Sequence, residues 1–207
     1  MKNFNDLATC GDIIPLKRKL DTRILAQELK GFKFRQYNTK KNHIDRKGLS
    51  ISNSKEIPNS YELESLREIN EVTGLSLRDH DFRDKTEVYY KSSQIQQIIE
   101  GFHQYLGRAH IIEHGPGGYF PPHRDIYSAE NDCQSMRIFV PLDKCNAPDS
   151  YFMLDEKMYT WEHGRAYFIN TNKMHHFFTY NAPARFIIFN VDVNEETLKL
   201  LLEEFWQ

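Results

Sequence analysis

Thiols are scarce in this chain of 207 residues: Cys10, Cys133 and Cys145 lie far apart and form no Cys-x-x-Cys pair. An odd, scattered set argues against a disulfide framework and against structural zinc on thiolates, so any metal must be held by histidines and carboxylates. Long apolar runs are missing too, and no window approaches the roughly 18 residues that would span a bilayer. Met1 to Leu7 carries Lys2 and Asp6 and has no signal-peptide core, so a reduced, cytoplasmic protein is expected. Nor is there an excess of one charge. Lys and Arg number 27 against 29 Asp and Glu, and a net charge of -2 gives no general reason to expect a nucleic-acid or membrane partner. Internal repeats, low-complexity tracts, a Gly-x-Ser-x-Gly turn and a cysteine-nucleophile context are all absent. Gly115, Gly117 and Gly118 do not make a phosphate loop, because no helix and no Lys-Ser/Thr follows them. They read instead as a sharp backbone turn.

What is present is aromatic. Phe and Tyr number 14 and 11, and aromatics reach 13%, which favours a strand-rich fold in one domain. The first 90 residues are mixed. Asp21 caps a predicted helix to about Lys30 with Ile24, Leu25 and Leu29 on one face, Phe32 to Tyr37 reads as a short strand, and a helix from Tyr61 to Glu71 ends near Gly74. Residues 30–47 hold seven Lys or Arg against one Asp, either a patch for a polyanion or a solvated loop and edge strand. Ile95, Ile98, Ile99, Phe102 and Leu106 have helical spacing and predict a helix from Ser93 to Leu106 stopped by Gly107. Beyond it the period changes to two. Arg108–His114, Arg137–Leu142, Tyr151–Leu154, Arg165–Asn170, His176–Tyr180 and Ala184–Val193 read as strands of a sandwich or jelly roll, not of βαβ units. Asn194 then caps a last helix with Leu198, Leu201, Leu202 and Phe205 along one stripe. This helix and the N-terminal ones are expected outside the sheet.

The chemistry concentrates after His114. His123 and Asp125 are two apart, so in extended backbone both project to one face, where an imidazole and a carboxylate can chelate a divalent metal. A third ligand from a distant strand would complete the two-His-one-carboxylate arrangement that leaves positions open on Fe(II). The pair alone is weak evidence, and the chain carries its own control in His43-Ile44-Asp45. Context separates them. Downstream of His123 come His175 and His176 at the start of a predicted strand. Arg185 follows ten residues after His175, on a strand whose alternation puts Arg185, Ile187 and Phe189 on one face, and a buried Arg there would clamp a carboxylate. Arg137 is on the opposite strand face from Ile138, Val140 and Leu142, in the pocket or in solvent. His110 and His114 share parity with Arg108 and either line the pocket or sit satisfied in the core. His163 is expected exposed in a turn, Trp161 and Tyr167 in the core, and Tyr119 and Phe120 in contact with substrate.

From Arg108 to Val193 the chain resembles the Fe(II)- and 2-oxoglutarate-dependent oxygenases, most of all the branch of aspartyl/asparaginyl β-hydroxylases and bacterial proline hydroxylases. The resemblance rests on the order and spacing of Gly115-Pro116-Gly117, His123-Arg124-Asp125, Arg137 through Leu142, Trp161 through Thr171, His175, and Arg185 leading into Asn190-Val-Asp-Val193. It implies an α+β, β-rich fold with a double-stranded β-helix (jelly-roll, cupin-like) core at 108–193. Residues 1–107 would be a supporting region with helices and residues 194–207 a C-terminal helix, all in one domain, 1–207. It also implies iron on His123, Asp125 and His175, with His176 the alternative distal ligand, and 2-oxoglutarate on Arg185, with Arg137 facing cosubstrate or substrate. The activity implied is hydroxylation of an unactivated C–H of an amino-acid-like substrate, free or peptidyl, with O2 consumed, succinate and CO2 released, and ascorbate as a stimulant. Asp125 stands where membrane-bound aspartyl hydroxylases have Gly, which favours the proline-hydroxylase side and disfavours halogenation. Asn181 lies six residues after His175, where the β-hydroxylase branch has an Asn at four. The alternative is a cupin-like metal or small-ligand binding module without catalysis, its basic 30–47 segment turned to an acidic partner.

Overall fold

The computed structural model describes residues 4–57, 61–125 and 135–205, so Cys133 lies outside them. The first strands are β1 (Ile13–Lys19), β2 (Arg35–Gln36), β3 (Arg46–Ser50), β4 (Ser52–Asn53) and β5 (Asp84–Lys85). Next come β6 (Leu106–His114), β7 (Tyr119–His123), β8 (Ser135–Asp143) and β9 (Ser150–Leu154). The last are β10 (Lys157–Tyr159), β11 (Arg165–Ile169), β12 (His175–Thr179) and β13 (Ala184–Asp192). They build a seven-stranded sheet in the order β1-β11-β8-β13-β6-β3-β2, a four-stranded sheet in the order β10-β9-β12-β7, and the small ribbon β4-β5. From β6 onward the chain alternates between the two main sheets, except at the β9–β10 hairpin, which stays in the smaller one, and every pairing is antiparallel. That alternation makes the core a jelly roll within an α+β, β-rich fold.

Two apolar layers hold it together. The outer face of the large sheet carries Ile111, Ile138, Val140, Ile187, Phe189 and Val191 into one core with the helices. The helices are α1 (Phe4–Ala8), α2 (Thr22–Glu28), α3 (Leu66–Thr73), α4 (Glu87–Lys91), α5 (Ser93–Ile99) and α6 (Glu195–Glu203); α1, α2, α5 and α6 supply Leu7, Leu25, Ile95, Ile98, Leu198 and Leu201 to that core, while Leu66 and Ile69 of α3 pack in a separate cluster with Phe82. Between the sheets lies a second, aromatic layer of Phe139, Phe152, Trp161, Tyr167, Phe177 and Phe186. The abundance of aromatics thus fills the interior of the roll. Among the described residues no helix is long and apolar enough to cross a membrane.

Caps hold where the sequence places them. Asp21 accepts from the amides of Arg23 and Ile24, Gly74 closes α3 at φ 71°, and Asn194 opens α6. The expected helix to Leu106 stops at Ile99, because Gly101 takes φ 82° and Leu106 already starts β6. Phe102 and Leu106 stay in the same buried core, so helical spacing outlives the helix. Gly107 is no helix stop. A Cβ there would come 2.6 Å from the Asp79 carbonyl oxygen, so glycine lets the turn at Asp79–Asp81 lie against β6. Ile24, expected on the buried face of α2, is exposed, and the strand at Phe32 to Tyr37 shrinks to β2. Strands β1 and β3 had no sequence signal, yet both are hydrogen-bonded into the large sheet. Three of the seven cations in 30–47 are ion-paired, Arg35 with Glu62, Lys40 with Glu71 and Lys47 with Asp45.

Candidate metal centre

Strand β7 ends at His123 and β12 begins at His175, and the two residues are direct cross-strand partners. Their rings lie 4.3 Å apart. The chain reaches β7 through the glycine turn, where Gly117 takes φ 79° and a Cβ on Gly118 would come 2.5 Å from the Asp45 carbonyl oxygen. Past the strand, the Asp125 amide donates to the Thr171 carbonyl at 3.1 Å, which folds the carboxylate back over the histidines. One ligand atom from each of His123, Asp125 and His175 then lies within 4.8 Å of the others. His175, not His176, joins the pair. His43 and Asp45 are exposed on the surface and take no part.

The protonation states suit a cation. His123 Nδ1 lies 2.7 Å from the Pro121 carbonyl oxygen and His175 Nδ1 lies 2.9 Å from that of Lys173. A ring nitrogen facing a carbonyl must be the N–H donor, so each Nε2 keeps its lone pair for a metal. Burial lowers the His175 pKa to about 4, which keeps that ring neutral. Burial pushes the Asp125 carboxyl upward, but Arg137, His175, His123 and Thr171 outweigh it and hold the group below its ordinary value. Two imidazoles with Nδ1 tied to backbone carbonyls and one ionised carboxylate fit a divalent first-row metal that retains open positions.

The triad lines a cavity of about 330 Å³ that runs between the sheets. Arg137 stands in its wall, 2.7 Å from Asp125 and 4.0 Å from Asp79, with Nε donating to Asn190 Oδ1. The open choice between pocket and solvent for Arg137 therefore falls on the pocket. Burial raises the Asp79 carboxyl against the pull of Arg137 and Arg108. Arg108 and His110 also line the cavity, and both bond the Glu62 carbonyl oxygen. Phe120 is in the wall as well, while Trp161 and Tyr167 sit in the core. His163 differs from expectation: it is half-buried, and its Nε2 accepts from the Cys145 amide at 3.3 Å.

No protein-family model matches the chain, and no curated protein does. Solved structures do. The chain is similar to a viral collagen prolyl hydroxylase from Paramecium Bursaria Chlorella virus-1, solved as its 2OG complex. Identity there is 9%, covering 91% of this chain and 99% of that one, with a TM-score of 0.49. An oxidoreductase of the 2OG-Fe(II) oxygenase family from Burkholderia pseudomallei matches at 10% identity, covering 84% and 78%, with a TM-score of 0.47. The DMSP lyase DddQ from Ruegeria pomeroyi DSS-3 matches at 18% identity over 41% of this chain, with a TM-score of 0.30, and the chain spans only 37% of that lyase.

Arg185 is the expected site residue that the structure does not bring to the others. It keeps the predicted parity with Ile187 and Phe189, but that parity is the outer, helix-covered face of the large sheet. There it pairs with Glu113 across the strands and lies over the Phe34 ring at 5.1 Å. The inward positions of β13 are Phe186, Ile188 and Asn190, which line the cavity. Sequence reasoning also missed Tyr37, the last residue of the short strand it read at Phe32 to Tyr37, and Asp79, which reaches the cavity from a turn with no periodicity to reveal it.

Proposed function

We propose that this chain is an Fe(II)- and 2-oxoglutarate-dependent dioxygenase of the cytoplasm that hydroxylates an unactivated C–H of an amino-acid-like substrate, free or peptidyl. The observation that carries the reading is the clustering of His123, Asp125 and His175 within 4.8 Å at the wall of an interior cavity. Iron held by these three residues would supply the oxygen chemistry, coupled to conversion of 2-oxoglutarate to succinate and CO2. The chain itself orients both imidazoles through Pro121 and Lys173, keeps Asp125 ionised through Arg137, and surrounds the reacting space with Phe139, Phe152, Phe177 and Phe186. That aromatic wall excludes water. Arg137 and Arg108 offer cationic contacts for a carboxylate-bearing substrate.

The test is succinate formation from 2-oxoglutarate with Fe(II) and ascorbate over a panel of amino acids and peptides. Wild type turns over and Asp125→Ala does not; if wild type converts no 2-oxoglutarate with any substrate, the enzyme reading fails. Metal titration is a separate check, since Fe(II) or Mn(II) affinity should fall by about tenfold or more in His123→Ala with His175→Ala. A second reading, a cupin-like metal or small-ligand binding module without catalysis, is favoured by the placement of Arg185 outside the cavity. It predicts metal binding without succinate.

A further inference from the structure

Arg46 is a buried cation without a partner. Its residue is 3% exposed, and its guanidinium makes no hydrogen bond or ion pair with any described residue. Only rings face it, Phe120 at 4.7 Å and Tyr37 at 5.6 Å from their centroids. Ring faces offset part of the charge but satisfy none of the five N–H donors. Glu68, an acid within reach of its field, is occupied by the capping box with Ser65. Arg108, Arg137 and Arg185, by contrast, are all hydrogen-bonded to oxygen.

A second orphan adjoins it. His114 is fully buried, neither ring nitrogen has a partner, and its ring packs against Phe120, Phe177 and Phe186. Arg46 and His114 are cross-strand partners, and His114 is in turn the partner of Ala184, the residue before Arg185. Ala184 contributes only a methyl group. Thr179, on the buried face of β12 with His175 and Phe177, also keeps an unpartnered hydroxyl. Tyr37, Phe120, Phe177 and Phe186 all line the cavity, so this polar group sits directly behind its aromatic wall. Phe120 links the two ends, since its ring is also 6.4 Å from that of His123.

A buried guanidinium and an imidazole, both with unused donors, form a carboxylate receptor. We propose that Arg46, assisted by His114, binds the remote carboxylate of 2-oxoglutarate, the role that spacing alone gave to Arg185. The identity of the ligand rests on the dioxygenase reading; the carboxylate receptor does not. The cation has moved from β13 to β3, two strands across the same sheet.

Two titrations on the full chain test it. Without metal, succinate raises the unfolding midpoint of wild type and of Arg185→Met, butanoate at equal ionic strength does not, and Arg46→Met loses the succinate response. Arg46→Met itself unfolds no earlier than wild type, because it removes an unpaired buried charge. With Mn(II) bound, calorimetry compares 2-oxoglutarate with 2-oxopentanoate, which lacks the second carboxylate. Wild type and Arg185→Met prefer 2-oxoglutarate by about tenfold or more, and Arg46→Met loses that preference while still binding 2-oxopentanoate. A wild-type midpoint indifferent to succinate overturns the proposal. So does a preference that survives Arg46→Met, or one that disappears in Arg185→Met. Failure of Mn(II) to bind would instead sink the dioxygenase reading, with the metal-free succinate titration still deciding on Arg46.

Discussion

Burial keeps four histidines below their ordinary pKa: His110, His163, His114 at about 3 and His175 at about 4. In the unfolded chain each would titrate near 6.5. The unfolded state therefore binds more protons below that point, and stability that is complete above it is lost as pH falls toward 4. His114 and His175 each contribute up to about 1.4 kcal/mol per pH unit across that window. Urea midpoints should decline steadily from pH 6.5 to 4.5, more gently in His114→Phe; a flat profile over that range would show that these rings are not held neutral. Arg185 gives the opposite kind of expectation. Its pair with Glu113 is 34% exposed on the arginine side, so Arg185→Met should change stability by less than about 1 kcal/mol and leave Mn(II) affinity as it was. The candidate pair His123 and Asp125 was legible from its two-residue spacing, although it is the bond from the Asp125 amide to Thr171, past the end of β7, that brings the carboxylate to the imidazoles, and His175 entered through the order of motifs in the resemblance. Arg46 was not, since a buried unpaired arginine in Arg-Lys-Gly-Leu-Ser has the composition of a solvated loop.

At the scale of elements, β13 explains why parity was readable and direction was not. Alternation tells inside from outside only when one face of a sheet meets water. The large sheet is covered on both faces, by helices on one and by the cavity on the other, so both faces of β13 carry large apolar residues. The six strands read after residue 107 fell where period two placed them, within one or two residues at their ends, but β7, with Pro121 and Pro122 in its span, and the three-residue β10 were not among them. In the first half β1 was lost as well, since it starts Ile-Ile-Pro and then runs into Lys17-Arg18-Lys19. Gly107 offers a test of how elements position the site. The turn carrying Asp79 lies against it, and Asp79 faces Arg137, which holds Asp125. Gly107→Ala should cost about 1–3 kcal/mol through overpacking. It should also weaken metal binding, whereas Gly31→Ala, with open space at its Cβ, should leave metal binding unchanged. Equal metal affinity in both variants would separate Asp79 from the site.

Across the whole molecule, stability is divided between an aliphatic layer under the helices and an aromatic layer between the sheets. Phe186 stands at the centre of the second, with ring centroids of Phe177, Phe139 and His114 at 4.9, 5.2 and 5.4 Å. Phe186→Ala should cost about 3–5 kcal/mol, read as a shifted denaturation midpoint. A cost below about 1 kcal/mol would mean that the aromatic layer closes over the gap. The sheet margins carry a further consequence. Every open strand edge invites pairing with another chain. Here β2 is two residues long, β10 three, and β1 is bridged at Leu16 by Phe205. The other edge of the four-stranded sheet is β7, where Pro121 and Pro122 are exposed and have no amide hydrogen to offer. The strand that delivers His123 is thereby barred from recruiting a neighbour, so the candidate metal site is kept clear of intermolecular sheet growth. Replacing both prolines with Thr should make the protein prone to self-association at concentrations where the parent stays dispersed, a difference that light scattering would register.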